Sequence, residues 1–302
     1  MGKVLITTAN GMFGRALVTQ LLKSGVACRL MVRDLSKCTV SDPLAEIVQA
    51  DMDKPETLVP VMQGIDSVFL SSPMDDRITM RETAVIKAAK ENGVKRIVKI
   101  HGAVKHEDAL ADSHMAVLDF LKGSGLQWTL VSPNSVMETS LYGFQPSIKY
   151  MNAIYGISGD SRIGLVALKD IAAVSAVVLT SEGHHGQNYE LTGPQSLNMF
   201  EVAFAFSNVL YKRVDYIDLS EEAFAKMIRK NDKSMTAERL EIEVLCHLRA
   251  WKQGKADLVT DTVKKLTGRD ATPLEEFIAD NLDYFKPGMV HRLVALLMRR
   301  IT

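Results

Sequence analysis

Between Lys3 and Arg15 the chain reads KVLITTANGMFGR. Val4-Leu5-Ile6-Thr7 is a short, apolar, β-branched run, the pattern of a buried strand. It passes into a turn of small residues, Thr8-Ala9-Asn10-Gly11, then into Met12-Phe13-Gly14 and a helical period with Ala16, Leu17, Leu21 and Leu22 on one face. Strand, tight turn and helix in that order have two readings: an ordinary buried connection, or a dinucleotide-binding fingerprint. In the second, Gly11 lets backbone approach a pyrophosphate and Gly14 lets the helix pack on the strand. The helix N-terminus then offers free N–H groups and a positive dipole end to the phosphates. The first glycine of the fingerprint is Thr8 here. Its methyl and hydroxyl either hold a pyrophosphate slightly further out or bond it through the hydroxyl.

The following residues repeat the unit. Ala27–Val32, Ile47–Asp51, Ser67–Leu70, Arg96–Ile100 and Gln127–Val131 read as strands. Between them lie helical stretches from Pro55 to Met62, from Arg77 to Glu91 and from Ala109 to Lys122. Strands alternating with helices predict an α/β fold with a doubly wound parallel sheet over residues 1–134. From Ser135 the alternation breaks. A helix opens at Leu168 and Gln187–Leu191 reads as one more strand. Beyond Ser220 the chain turns mostly helical, over Glu221–Lys230, Met235–Trp251, Asp257–Leu266 and Pro273–Tyr284. No Gly-, Ser- or Pro-rich linker separates the halves. Residues 135–302 are therefore expected to form a smaller, mostly helical substrate-side region interleaved with the first, ending in an extra helix over 289–301.

Acidic and basic residues balance at 36 each, which argues against nucleic acid as a partner. Cys28, Cys38 and Cys246 share no metal spacing and suit a reducing compartment. No apolar run reaches membrane-spanning length, so a cytoplasmic protein is expected. His184-His185 has no third ligand nearby in sequence, and no metal site is expected. Lys105-His106-Glu107-Asp108 reads as a solvated loop.

If the opening turn holds a nucleotide, its other contacts should follow at strand ends. A free ribose 2′-OH usually meets a carboxylate about 20 residues past the glycines, whereas a 2′-phosphate meets Arg. Arg33 ends the second strand and Lys37 lies one helical turn on; a guanidinium fork and a point charge together suit a 2′-phosphate. That favours NADP(H) over NAD(H), with Asp34 arguing weakly the other way. Asp51 and Met52 end the third strand, where adenine lies in this fold. Ser71, Ser72 and Pro73 follow the fourth strand and place small polar groups under the phosphates and nicotinamide ribose, and Pro133 ends the sixth. The 15 methionines suit an adaptable apolar pocket, and core filling explains them equally.

In these segments the chain resembles the NmrA-like family of atypical short-chain dehydrogenases/reductases. The carriers are Thr8 through Arg15, Val32-Arg33-Asp34 with Lys37, Asp66 through Pro73, Ala88-Ala89-Lys90, Gly93 through Lys99, and Ser124 through Thr129. Further on come Tyr189 through Pro194, Val259 through Val263, Leu266 through Arg269, and Leu274 through Phe277. No single piece is diagnostic; their order and spacing are. The resemblance runs to about Tyr284. It implies a Rossmann domain binding NAD(P)H, and a function among quinone, azo-dye and triphenylmethane reductases or redox-sensing regulators.

The departures from the wider short-chain pattern bear on chemistry. Its members use a Ser, Tyr, Lys set, and no Tyr-x-x-x-Lys occurs in this chain. His101 stands where the Ser is expected, Leu110 at the Tyr position and His114 at the Lys position. Ser132 replaces an Arg common before Pro133-Asn134. His114, with His101 behind it, is thus the candidate to orient the cofactor or relay a proton, and Tyr142 is a further hydroxyl. The expected function is an NADP(H)-dependent reductase moving a hydride to an apolar or aromatic quinone, enone or ketone. A non-catalytic redox sensor and a tailoring enzyme doing isomerisation or cyclisation remain as alternatives. The protein is expected as a monomer or homodimer. Its basic, apolar C-terminal helix is suited to a membrane surface, another subunit or its own chain.

Overall fold

The structure, a computed structural model, describes residues 2–102 and 109–286. The loop at Lys105–Asp108 and the helix expected over 289–301 lie outside the described residues. The chain forms two compact units. One comprises Met1–Asn134, Leu168–Thr192 and Thr260–Ala271; the other comprises Ser135–Ala167, Gly193–Val259 and Thr272–Thr302. The first unit adds two later segments to the chain up to Asn134.

In the first unit the elements run β1 (Lys3–Ile6), α1 (Met12–Lys23), β2 (Cys28–Val32), β3 (Ala45–Gln49), α2 (Leu58–Met62), β4 (Ile65–Leu70) and α3 (Ile78–Glu91). They continue with β5 (Arg96–Ile100), α4 (Ala109–Gly123), β6 (Gln127–Pro133), α5 (Leu168–Thr180), β7 (Asn188–Leu191) and α6 (Thr262–Thr267). The seven strands form one parallel sheet in the order β7-β6-β5-β4-β1-β2-β3. Strand order reverses between β1 and β4. This is the topological switch point, where open parallel sheets leave a crevice at the carboxyl ends of their strands.

The sheet is apolar on both faces, as helix-covered parallel strands require. α1 lays Leu17, Val18 and Leu21 on it. On β4 and β5, Val68, Leu70 and Ile97 pack with Val85, Ile86 and Ala89 of α3 and Val117 and Leu121 of α4. The strand expected over Ile47–Asp51 lies two residues earlier, at Ala45–Gln49. Asp51 and Met52 consequently fall in the loop after it. The Asp51 N–H donates to Thr57 Oγ1 at 3.0 Å and the Asp51 carboxylate accepts from the Asp53 N–H at 3.0 Å, an arrangement that ends the ladder.

Two helices expected late in the chain also differ. The stretch Asp257–Leu266 becomes helical only from Thr262. Before it, Thr260 is tied down outside the helix, its N–H on Thr192 Oγ1 and its hydroxyl on the Glu190 carbonyl, each at 2.9 Å. In the second unit, Pro273–Tyr284 breaks at Asn281 into Leu274–Asp280 and Leu282–Phe285. The Asn281 amide donates to the Phe277 carbonyl at 2.8 Å, competing with the helix ladder. The helix expected over Met235–Trp251 starts at Ala237, capped by Thr236, and runs to Lys252 through a π turn at Glu241–Leu245. The rest of this unit holds a three-stranded and a two-stranded sheet and the helix Met199–Leu210, capped by Asn198 and Glu201.

Candidate nucleotide and active site

The turn after β1 is closed by backbone. The Gly11 N–H donates to the Thr8 carbonyl at 2.8 Å and the Ala9 N–H to the Met31 carbonyl at 3.3 Å. A Cβ on Gly14 would lie 2.0 Å from the Thr8 carbonyl oxygen, and one on Gly11 would lie 3.1 Å from it. Gly14 is therefore what lets α1 begin so close to β1. α1 has no side-chain cap, since Gly11 precedes it. The N–H groups of Met12, Phe13 and Gly14 therefore have no acceptor within the helix, and the dipole leaves partial positive charge there. Asn10, Met12 and Phe13 are half-buried around them.

Thr8, the residue that replaces the usual glycine, has a definite partner. Its hydroxyl meets the Ser71 hydroxyl at 2.5 Å, across the switch point from β1 to the end of β4. Thr7, next to it, donates from Oγ1 to the Ser71 carbonyl at 2.7 Å and accepts from the Ser71 N–H at 3.1 Å. Three hydroxyl-mediated bonds thus stitch the floor of the crevice. The Thr8 hydroxyl is engaged sideways, and it acts by fixing the turn against β4.

At the end of β2, Arg33 is exposed, and its carbonyl accepts from Gln49 Nε2 at 2.9 Å. Asp34 turns its carboxylate inward on the next turn of chain, accepting from the Ser36 N–H at 3.0 Å and the Ser36 hydroxyl at 2.6 Å. Those bonds hold its carboxyl below the usual range. Lys37 pairs loosely with it at 3.6 Å. In the loop after β3, Met52 is buried, and Asp53 receives the buried Arg81 at 2.6 Å. That guanidinium holds the Asp53 carboxyl low, and its other edge grips Asp75 at 2.7 and 2.8 Å.

Beyond β4 and β5 lies a buried charged chain. Ser72 donates its hydroxyl to Glu82 Oε1 at 2.8 Å, and Lys99 Nζ donates to Glu82 Oε2 at 2.5 Å. The side chains of Lys99 and Glu82 are 0% and 2% exposed. Lys99 also reaches the Ile100 carbonyl at 3.1 Å and His114 Nδ1 at 3.4 Å. The His114 ring stands edge-on to that of His101, with centroids 5.5 Å apart. His101 is half-buried and its Nδ1 has no hydrogen-bond partner among the described residues. Burial, helped by the Lys99 and Lys122 charges, lowers its pKa to about 4, so the ring is neutral at physiological pH.

Of the residues singled out in the sequence, Thr8, Asn10 to Gly14 and Ser71 gather at the switch point. Ser72 and His114 are joined through the Glu82–Lys99 pair. Pro73 is exposed just past Ser71-Ser72, and Pro133 is buried at the end of β6. Tyr142 lies in the second unit, packed on Phe277 and donating to Asn281 Oδ1 at 2.9 Å. His184 is bonded to Ser181 and Tyr189, and His185 accepts from the Trp128 N–H.

Glu82 and Lys99 are the residues that sequence reasoning missed as site candidates. A signal was there. Glu82 sits four residues after Ile78 and four before Ile86, on the apolar face of α3. Lys99 interrupts the buried run Ile97-Val98-Lys99-Ile100. One opposite charge on each of two facing apolar surfaces is the pattern of a buried pair.

The sequence profile of a family described as NAD(P)H-binding matches residues 8–182, more than half of the chain. The chain belongs to the NAD(P)H-binding family. Relatives span nearly the whole of this NAD(P)H-binding protein. An NAD(P)H azoreductase of Xenophilus azovorans is 30% identical over 91% of this chain and 96% of its own. A (4-alkanoyl-5-oxo-2,5-dihydrofuran-3-yl)methyl phosphate reductase of Streptomyces griseus is 28% identical over 94% and 99%. Among solved structures, the NADPH-dependent quinone oxidoreductase of Escherichia coli in complex with NADPH superposes with a TM-score of 0.83, at 26% identity, over 92% of this chain and 99% of that one. The resemblance drawn from the motifs therefore holds, and this NAD(P)H-binding protein falls among the NAD(P)H-dependent oxidoreductases. The site fits such a cofactor: the glycine floor leaves room for backbone to meet a pyrophosphate, and unsatisfied N–H groups face it.

Proposed function

We propose that the chain is an NADPH-dependent reductase whose acceptor is a conjugated or carbonyl-type organic molecule such as a quinone, an enone or a ketone. The observation that carries the reading is the crevice between β1 and β4, floored by Gly11 and Gly14 and stitched by Thr7, Thr8 and Ser71. Thr8, Asn10, Gly11, Met12, Phe13 and Gly14 hold the pyrophosphate. Asp51 and Met52 meet the adenine; Ser71, Ser72, Pro73 and Pro133 line the ribose and nicotinamide side. Arg33 and Lys37 take the 2′-phosphate. Two features support that last assignment: Arg33 is exposed, and Asp34, the carboxylate a ribose 2′-OH would need, is committed to Ser36. When bound, NADPH supplies the hydride, and the protein's part is to place it and its acceptor. His114 is the polar group offered to the acceptor, because His101, held neutral with a pKa of about 4, is a poor proton source near pH 7.

A sensor that binds NADPH without turnover is the second reading. It is favoured by Leu110, which replaces the phenolic acid and packs against the apolar core of α3 and α4. Single-turnover oxidation of NADPH against a panel of quinones, enones and ketones, after fluorescence has established binding, separates the two. Oxidation by at least one acceptor class is the expected result. Tight binding with no oxidation across the panel would transfer the chain to the sensors, and absence of binding would sink both readings.

A further inference from the structure

Lys99 and Glu82 are an expensive pair to bury. Each ion loses its hydration, and replacing such a pair with apolar residues is often neutral or stabilising, so burial alone gives no reason for it. Their place in the sheet supplies one. Lys99 is the penultimate residue of β5, at the carboxyl edge beside the crevice, and its Nζ has three acceptors: Glu82 Oε2, the Ile100 carbonyl and His114 Nδ1. An ammonium has only donors. The nitrogen of His114 that faces it must therefore be an acceptor, which puts the single ring proton on Nε2. A second proton on His114 would sit on Nδ1 against a positive charge, and is disfavoured. The Glu82 carboxylate offsets part of that charge, but the ammonium still has only hydrogens to present, so Nδ1 keeps the acceptor's part.

We propose that Lys99, anchored by Glu82, is a positioning residue that holds His114 as a neutral imidazole protonated at Nε2. In that state His114 acts as an uncharged hydrogen-bond donor that polarises an acceptor oxygen, and needs no extra proton to do so. The role in turnover rests on the reductase reading above; the protonation state of His114 does not. Lys99 and the His101 ring lie against this ring, Glu82 of α3 reaches it through Lys99, and Lys122 of α4 acts on His101.

Nitrogen-15 NMR of histidine-labelled protein at about pH 7.5 tests it directly, with the His114 signals assigned by their loss in His114→Asn. The expected result is a pyridine-like Nδ1 and a pyrrole-like Nε2 in the wild-type chain. The paired variant Lys99→Met/Glu82→Met removes both charges together and leaves neither buried alone. In it His114 should become a mixture of tautomers and titrate on acidification, while NADPH affinity changes by less than about threefold. Turnover, kcat, should fall by about tenfold or more, with KM for the acceptor little moved. A wild-type Nδ1–H tautomer, or an unchanged tautomer in the folded paired variant, overturns the proposal. If the tautomer behaves as expected but the wild-type chain oxidises no NADPH, the positioning stands and the reductase reading is what has failed.

Discussion

His101 shows how one residue can set an acid limit on the fold. Its folded pKa of about 4 lies below the ordinary 6.5. Between those values the unfolded chain binds a proton that the folded chain refuses, so stability rises with pH across that window and is lost as pH falls through it. Going from about pH 7.5 to about pH 5, this single site should remove about 2 kcal/mol. Urea unfolding at the two pH values checks it: His101→Phe, which keeps a ring there and gives up an Nδ1 with no partner among the described residues, should lose about 2 kcal/mol less than the wild-type chain on acidification. Equal losses in the two proteins would mean that His101 is not held neutral. The candidate was visible in the sequence as a histidine after a strand. Its charge state was not, because that depends first on burial and, beside the adjacent Lys99, on Lys122, which only the fold brings near.

At the level of elements, β1, its turn and α1 were the most legible part of the chain. Period and small residues identify strand, turn and helix within a residue or two of the observed Lys3–Ile6 and Met12–Lys23. The fold class followed from the alternation that continues through β6. What the sequence could not show were contacts between strands far apart in the chain. Thr8 was a question about a missing glycine until Ser71 was seen opposite it. Asp51 looked like a strand end until its own loop bonds moved the strand back by two residues. Gly14 gives this element its sharpest test. Its α carbon sits so near the Thr8 carbonyl that one added methyl, as in Gly14→Ala, must push α1 away from β1. Overpacking of that kind costs about 1–3 kcal/mol, and the displaced N–H groups should cost NADPH affinity about tenfold, the equivalent of about 1.4 kcal/mol. Gly102→Ala is the control, since a Cβ there meets nothing within 4 Å. If Gly14→Ala binds NADPH as Gly102→Ala does, the turn is not the pyrophosphate cradle.

The whole molecule is built by weaving. The first unit takes three separate segments of the chain, and the second takes the two stretches between them and the one that follows. A cofactor held by the first unit therefore stabilises a body whose chain must pass through the second twice. Ligand present at about 100 times its dissociation constant adds about 2.7 kcal/mol. For domains of roughly 150–250 residues that is a rise in Tm of about 5–10 °C. The two tryptophans report the units separately: Trp128 is on β6 in the first, and Trp251, buried with its indole N–H on Ser135 Oγ, is in the second. In single-tryptophan variants, NADPH should raise the transition seen by Trp128 by that amount. The Trp251 transition should rise with it if covalent weaving makes the units unfold together. NADH at the same concentration should do less, and Arg33→Ala should bring the two cofactors level by weakening NADPH alone. Arg33→Ala losing equal ground with both cofactors would remove the 2′-phosphate role. A Trp251 transition that NADPH leaves in place would show that the second unit melts on its own, in spite of its threading.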